Sequence, residues 1–371
     1  MPQTTQLFGY GQLGFGIAAA IIKILVFVVL FAMGLASLLT WLERRQSAMM
    51  QDRLGPNRAN LGRWRAWGLL HFVADALKMM FKEDFIPPKA NRFLFTLAPI
   101  LALAPPLIVL AIIPFGAPLC WGHMREAVPL GTCAQPVDLQ IARLDVGVLF
   151  YFAFASLSIY GATLAGWASY NKWALMGGMR AASQMISYEV TMGMAVLAMF
   201  VCYGTLEPGA MVAQQGPAPW QWGILRGIPH FIAFFLFFAA SFAETKRTPF
   251  DIPEGESEIV GYFVEYSGLR FGMFYLGEFL EVIGSSALMV TIFLGGWQIW
   301  GASVLPNWAH VLLSMLVWGA KVFLFCGLQL LVRWTLPRFR ADQLMRLGWQ
   351  RLLPISIANV VLAACWQMWI H

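Results

Sequence analysis

Residues Phe15 to Leu42 read FGIAAAIIKILVFVVLFAMGLASLLTWL, with Lys23 as the single charge. At about 1.5 Å per residue a helix of this length exceeds the roughly 30 Å of hydrocarbon in a bilayer. A helix on a soluble protein keeps a polar face, whereas Lys23, Ser37 and Thr40 mark none here. Lipid offers the backbone no partners, so only helices and closed barrels cross it. Barrel strands alternate over about ten residues, and this run does not. The stretch therefore predicts a membrane-spanning helix.

The same pattern recurs along the chain. Of its 371 residues 59% are hydrophobic and only 12% charged, with a mean hydropathy of +0.66. A soluble domain carries about 25% charged residues, so a water-soluble fold is excluded. Apolar runs between polar breaks predict eight spans, near 15–42, 93–115, 146–166, 186–204, 228–243, 271–296, 309–332 and 352–370. The fifth is short and reaches a workable length only if it continues toward Lys246. Met1 to Gly14 lacks the basic start of a cleavable signal, so the first run reads as a span. The expectation is an all-α integral membrane protein of one domain, with amphipathic surface helices in its first inner loop.

Lys and Arg collect in short cytoplasmic loops. Twenty of the 25 fall in the loops 43–92, 167–185, 244–270 and 333–351. Arg125, Arg143 and Arg226 fall on the other side, and Lys23 and Lys321 lie within spans. This imbalance places both termini outside, periplasmic in a bacterial inner membrane. The net charge of +6 thereby reflects topology, and nucleic-acid binding is not expected. Cys120 and Cys133 share the outside loop between the second and third spans, where either a disulfide or two separate thiols fits the sequence.

No C-x-x-C pair, H-E-x-x-H or clustered His is present, so no metal or iron–sulfur site is expected. Gly9-Tyr10-Gly11-Gln12-Leu13-Gly14 fits G-x-G-x-x-G but follows no strand and leads into a span, which removes the context of a phosphate cradle.

Chemistry concentrates in the inner loops. The first opens Glu43-Arg44-Arg45 and continues Asp52-Arg53-Leu54-Gly55-Pro56-Asn57, a turn signal flanked by mixed charge. Trp64 to Asp84 then predicts an amphipathic helix along the membrane surface, with His71, Asp75, Lys78 and Lys82 on one face. In the third inner loop Glu244, Asp251, Glu254, Glu256 and Glu258 face only Lys246 and Arg247. Acids contribute little to topology, so this excess needs another purpose. Ionisable groups inside spans cost about 2.5–3.5 kcal/mol each by insertion scales. Glu189 opens the fourth span, and Glu278 and Glu281 lie three residues apart on one face of the sixth. Such a pair repels in low dielectric, so one member should hold a proton near neutral pH. A proton relay or an ion pair, for instance with Lys321, accounts for their presence.

The segments Glu43-Arg44-Arg45, Arg53-x-Gly55-Pro56-Asn57, Lys78 to Asp84, Gly166-Trp167-x-Ser169, Ser183 to Glu189, Pro249-Phe250-Asp251, Glu254 to Glu258 and Glu265-Tyr266-Ser267-Gly268 together resemble the signature of the H subunit of respiratory complex I, the family of the mitochondrial subunit 1. They occur in family order over nearly the whole chain. Two departures stand out: the interval from Glu258 to Glu265 is one residue shorter, and the outside loop around Cys120 and Cys133 is longer.

The resemblance implies a non-redox membrane subunit of a proton-pumping NADH-quinone oxidoreductase. It binds no cofactor itself and takes quinone as substrate; NADH, FMN and iron–sulfur clusters belong to partner subunits. The quinone tail would lie under the first-loop helix and its head in a chamber shared with a peripheral-arm partner. Glu43, Arg44, Arg53, Arg247, Asp251, Glu254, Glu256 and Glu258 would line or gate that chamber. Glu189, Glu244, Glu265, Glu278 and Glu281 would relay the coupling toward antiporter-like membrane subunits. A membrane-bound hydrogenase subunit is the nearest competing assignment. A stand-alone transporter is disfavoured by the lack of inverted repeats.

Overall fold

The computed structural model describes residues 18–60, 62, 65–120, 136–255, 259–301 and 305–370. The Gly9–Gly14 pattern, Cys133, Glu256 and Glu258 lie outside them.

Nearly all of the described chain that is regular is helical. In order come α1 (Ala18–Met50), the short α2 (His71–Phe81), α3 (Arg92–Ile112), α4 (Gly147–Ala168), α5 (Lys172–Tyr203), α6 (Pro208–Gln214), α7 (Ile228–Glu244), α8 (Gly268–Phe293), α9 (Asn307–Thr335) and α10 (Ala341–Trp369). Seven of these are long and apolar enough to cross a membrane. The eighth, α7, has 17 residues, the lower limit for a span. Among the described residues the only strands are β1 (Leu119–Cys120) and β2 (Pro136–Val137), antiparallel with Leu119 opposite Val137. Cys120 is disulfide-bonded, whereas Cys202, Cys326 and Cys365 are free.

Helix α8 is the axis of the bundle. Every residue from Val282 to Phe293 is buried, the mark of a helix enclosed on all sides. It packs against α1, α3, α7 and α9, and α2 lies against its N-terminal end. Small residues let these helices approach, as polar and small side chains do in lipid, where no hydrophobic force drives helices together. A Cβ on Gly161 of α4 would lie 2.6 Å from the Ala102 amide nitrogen of α3, and one on Gly277 of α8 2.8 Å from the Ala102 carbonyl oxygen.

Several boundaries differ from the sequence reading, each for a local reason. Helix α1 runs on to Met50, because no breaker precedes Gly55-Pro56, so Glu43, Arg44 and Arg45 are helical rather than loop residues. Helix α5 starts at Lys172, where the Asn171 side chain accepts from the Trp173 amide. Its 32 residues exceed the bilayer, so 172–185, expected as a loop, continues the helix beyond the predicted span. Thr335 and Ala341 bracket a break of only 336–340 between α9 and α10. The fifth span ends at Glu244 instead of reaching Lys246, whose φ of 54° is left-handed. The surface helix is shorter than expected because Trp67 and Gly68 adopt φ of 55° and 85°. At Gly68 a side chain would collide with the Pro56 carbonyl, so the Gly55-Pro56-Asn57 turn packs directly on that glycine.

Candidate functional site

At the end of the bundle where α7 stops, the segment that follows folds into the core instead of out to solvent. Gln184 of α5 donates to the Ala243 and Phe250 carbonyls at 2.7 and 2.6 Å, pinning both ends of that segment to the membrane core. Lys246, Arg247 and Asp251 are consequently 4%, 3% and 7% exposed. A left-handed lysine costs of order 1–3 kcal/mol, tolerated only where surrounding contacts impose it.

Two layers of charge follow. In the first, Glu43 of α1 accepts from Arg247 Nη1 at 3.1 Å and from Arg333 Nη1 of α9 at 2.6 Å. The Arg247 guanidinium also lies 4.1 Å over the Phe279 ring of α8. Asp251 pairs with Arg338 at 2.8 Å, beside a Phe250–Phe339 stack and a bond from the Phe339 amide to the Pro249 carbonyl. Burial first raises the Asp251 carboxyl, and Arg338 and Arg333 pull against it, leaving it at about 6.

The second layer gathers around Lys246. Glu278 of α8 accepts from the Tyr262 hydroxyl at 3.2 Å, and Lys246 Nζ lies 3.7 Å from Glu281. Glu254 is enclosed beside Glu278; burial, then that neighbouring carboxylate, hold its carboxyl well above the usual range. Burial alone would lower the Lys246 ammonium, but Glu281, Glu278 and Glu254 outweigh it and raise its proton affinity. Glu244 ends α7 at the same level with one oxygen unpaired, and Glu281 likewise has an oxygen without a hydrogen-bond partner. Glu189, half-buried on α5, faces Glu244 closely enough for their charges to interact. Glu244, Glu254, Glu278 and Glu281 thus share the Lys246 ammonium, and Arg247, bonded to Glu43, also acts on Glu278. Burying the surplus as bare charge would cost several kcal/mol per ion, so this cluster must hold protons.

The remaining expected residues lie further out. Arg44 pairs with Asp75 at 2.6 Å, tying α1 to α2. Arg53 is exposed and bonds to Gln51 and Ser47, away from the cluster. Glu265 accepts from the Asn171 side chain at 2.7 Å, outside the buried set. Lys321 is not the partner of Glu281: it donates to the Leu294 and Gly296 carbonyls at 2.8 and 2.9 Å, capping the far end of the α8 segment. Lys23 donates to the Gln140 carbonyl at 3.0 Å. Among the described residues no three His, Cys, Asp or Glu are arranged to hold a metal ion.

The sequence profile of the family described as NADH dehydrogenase matches residues 22–364. The chain is 38% identical to the NADH-quinone oxidoreductase H subunit numbered 2 of Koribacter versatilis, covering 95% of this chain and 98% of that protein. It is 40% identical to the H subunit numbered 2 of Geobacter metallireducens, over 95% and 97%, and 41% identical to the H subunit of Syntrophotalea carbinolica, over 90% and 92%. The chain belongs to the family of NADH-quinone oxidoreductase H subunits. Coverage is nearly complete in both directions, so the likeness concerns the whole bundle.

For this member of the H-subunit family, sequence reasoning missed Arg333, Arg338, Tyr262 and the placement of Lys246. The two arginines were absorbed into the topology signal, which explains any inner-loop base without assigning it a partner. Tyr262 carried no signal beyond its place after the acidic loop. Lys246 was legible only as a charge between Glu244 and Arg247.

Proposed function

We propose that this chain is the membrane subunit of a proton-translocating NADH-quinone oxidoreductase, with both termini outside, that shelters the quinone and couples its reduction to proton movement. The observation that carries this reading is the acid excess buried beneath an inner loop and joined to the inner surface through Arg247, Glu43 and Asp251. A charge change at the inner surface is felt by the deeper carboxyls in low dielectric, where an interaction between unit charges is several-fold stronger than in water. Electrons would reach the quinone from cofactors on partner subunits, and this chain would supply the cavity wall and the proton acceptors.

Helix α2 suits the access route for a lipid-soluble carrier. Phe72, Val73, Leu77, Met80 and Phe81 are exposed along it, while the Arg44–Asp75 pair fixes one edge to α1. An isoprenoid tail could pass beneath such a helix from the bilayer, and a polar head would meet Glu43, Arg247 and Asp251 at its end. Glu189, at the edge of the cluster, would hand protons toward neighbouring membrane subunits.

The test is proton translocation per quinone reduced, in membranes holding the assembled complex. A Glu278→Gln variant should lower that ratio sharply. Native ratios in both Glu278→Gln and Glu189→Gln would overturn the reading. Purification in mild detergent gives an independent check, since a stand-alone transporter would emerge without partner subunits.

A further inference from the structure

Lys246 has no role in the relay as proposed, yet the fold forces it into the acid cluster. Its left-handed backbone turns the side chain inward from the end of α7, and the side chain is 4% exposed. The ammonium lies 3.7 Å from Glu281, beyond a normal hydrogen bond, and 5.6 Å over the Tyr262 ring. Glu278 and Glu254 also act on it. Around it stand Glu278 and Glu281 from α8, Glu254 and Tyr262 from the inner segment and Glu244 from α7, with Tyr151 of α4 and Glu189 of α5 next to Glu244; Arg247, bonded to Glu43, also acts on Glu278. A lysine carries a compact charge on a flexible four-carbon stem, so it can serve two carboxylates in turn where an arginine fork would be fixed to one.

We infer that Lys246 is a shared counter-cation that sets the proton affinities of Glu281 and of the Glu254–Glu278 pair against each other. The carboxylate beside the ammonium is stabilised as an anion and releases its proton; the one left without it keeps its proton. A proton arriving on Glu281 removes the charge that holds Lys246 there. The ammonium then swings toward Glu254 and Glu278 and drives a proton off that pair. One proton is taken up and one released, and the net charge of the buried cluster is conserved.

This inference rests on the proposed coupling function, and the test separates the two. Lys246→Met, Lys246→Arg and the double variant Lys246→Met/Glu281→Gln are made in the intact complex and assayed in inverted membrane vesicles. Lys246→Met should lose most of its proton translocation per quinone reduced, and the acid limb of its pH profile should move up by about one unit or more, as expected when an opposing charge is removed. Lys246→Arg should keep the native pH profile, since it keeps the charge, but recover only part of the translocation ratio. The double variant removes the cation and one anion together, so it should assemble at the native level yet remain uncoupled. A native ratio in either Lys246→Met or the double variant overturns the inference. A native complex that moves no protons at all would instead overturn the function beneath it.

Discussion

Glu43 shows what a single buried carboxylate does when it serves two bases. It binds Arg247 and Arg333 on different elements, so its loss strands a guanidinium that is 3% exposed. Removing one member of a buried pair costs about 3–5 kcal/mol. Glu43→Ala should therefore markedly lower the melting temperature of the purified complex, while Glu43→Gln, which can still accept a hydrogen bond, should cost less. Asp251 offers a pH test. Its carboxyl titrates near 6, above the ordinary Asp value, because burial outweighs Arg338. The folded chain thus holds this proton more tightly than the unfolded chain does. The side chain's contribution to stability is full below the unfolded value and is lost as pH rises through about 6. In activity the sign is reversed for the ion pair: the Asp251–Arg338 bond exists above about 6 and weakens below it. Quinone reduction should show an inflection there that Asp251→Asn removes.

Among elements, the contact of α3, α4 and α8 is set by backbone approach. The space that Gly161 and Gly277 leave at Ala102 is smaller than a methyl group, and backbone atoms bound it. Overpacking such a contact costs about 1–3 kcal/mol. Gly161→Leu should lower the thermal stability of the detergent-solubilised protein, and because α8 carries Glu278 and Glu281, it should also reduce the proton translocation ratio. The surface helix α2 behaves differently. Its tether, Arg44–Asp75, is partly exposed, with side chains 43% and 30% accessible, and such pairs contribute at most about 1 kcal/mol. Asp75→Ala should leave melting nearly unchanged and appear instead as a raised KM for quinone, if the tail passes beneath α2.

For the molecule as a whole, the positions of Lys and Arg along the chain predict which loops stay inside, since insertion responds to them. An alkaline phosphatase fused after α10 should be active outside the cell, whereas one fused within the break at 336–340 should not. The apolar runs also fixed the helical class, because a backbone in lipid has no alternative means of pairing its polar groups. Glu244, Glu254, Glu278 and Glu281, which the resemblance singles out, do lie together in one buried cluster. Linear order did not reveal that Arg333 and Arg338 meet Glu43 and Asp251, nor that Lys246 turns inward to Glu281 rather than Lys321 reaching it. Those partnerships join segments tens to hundreds of residues apart, and hydropathy and periodicity report only local preference. Which acids keep a counter-charge and which must keep a proton depends on burial and on distances of a few ångströms, and both exist only once α1, α5, α7, α8 and α9 have packed.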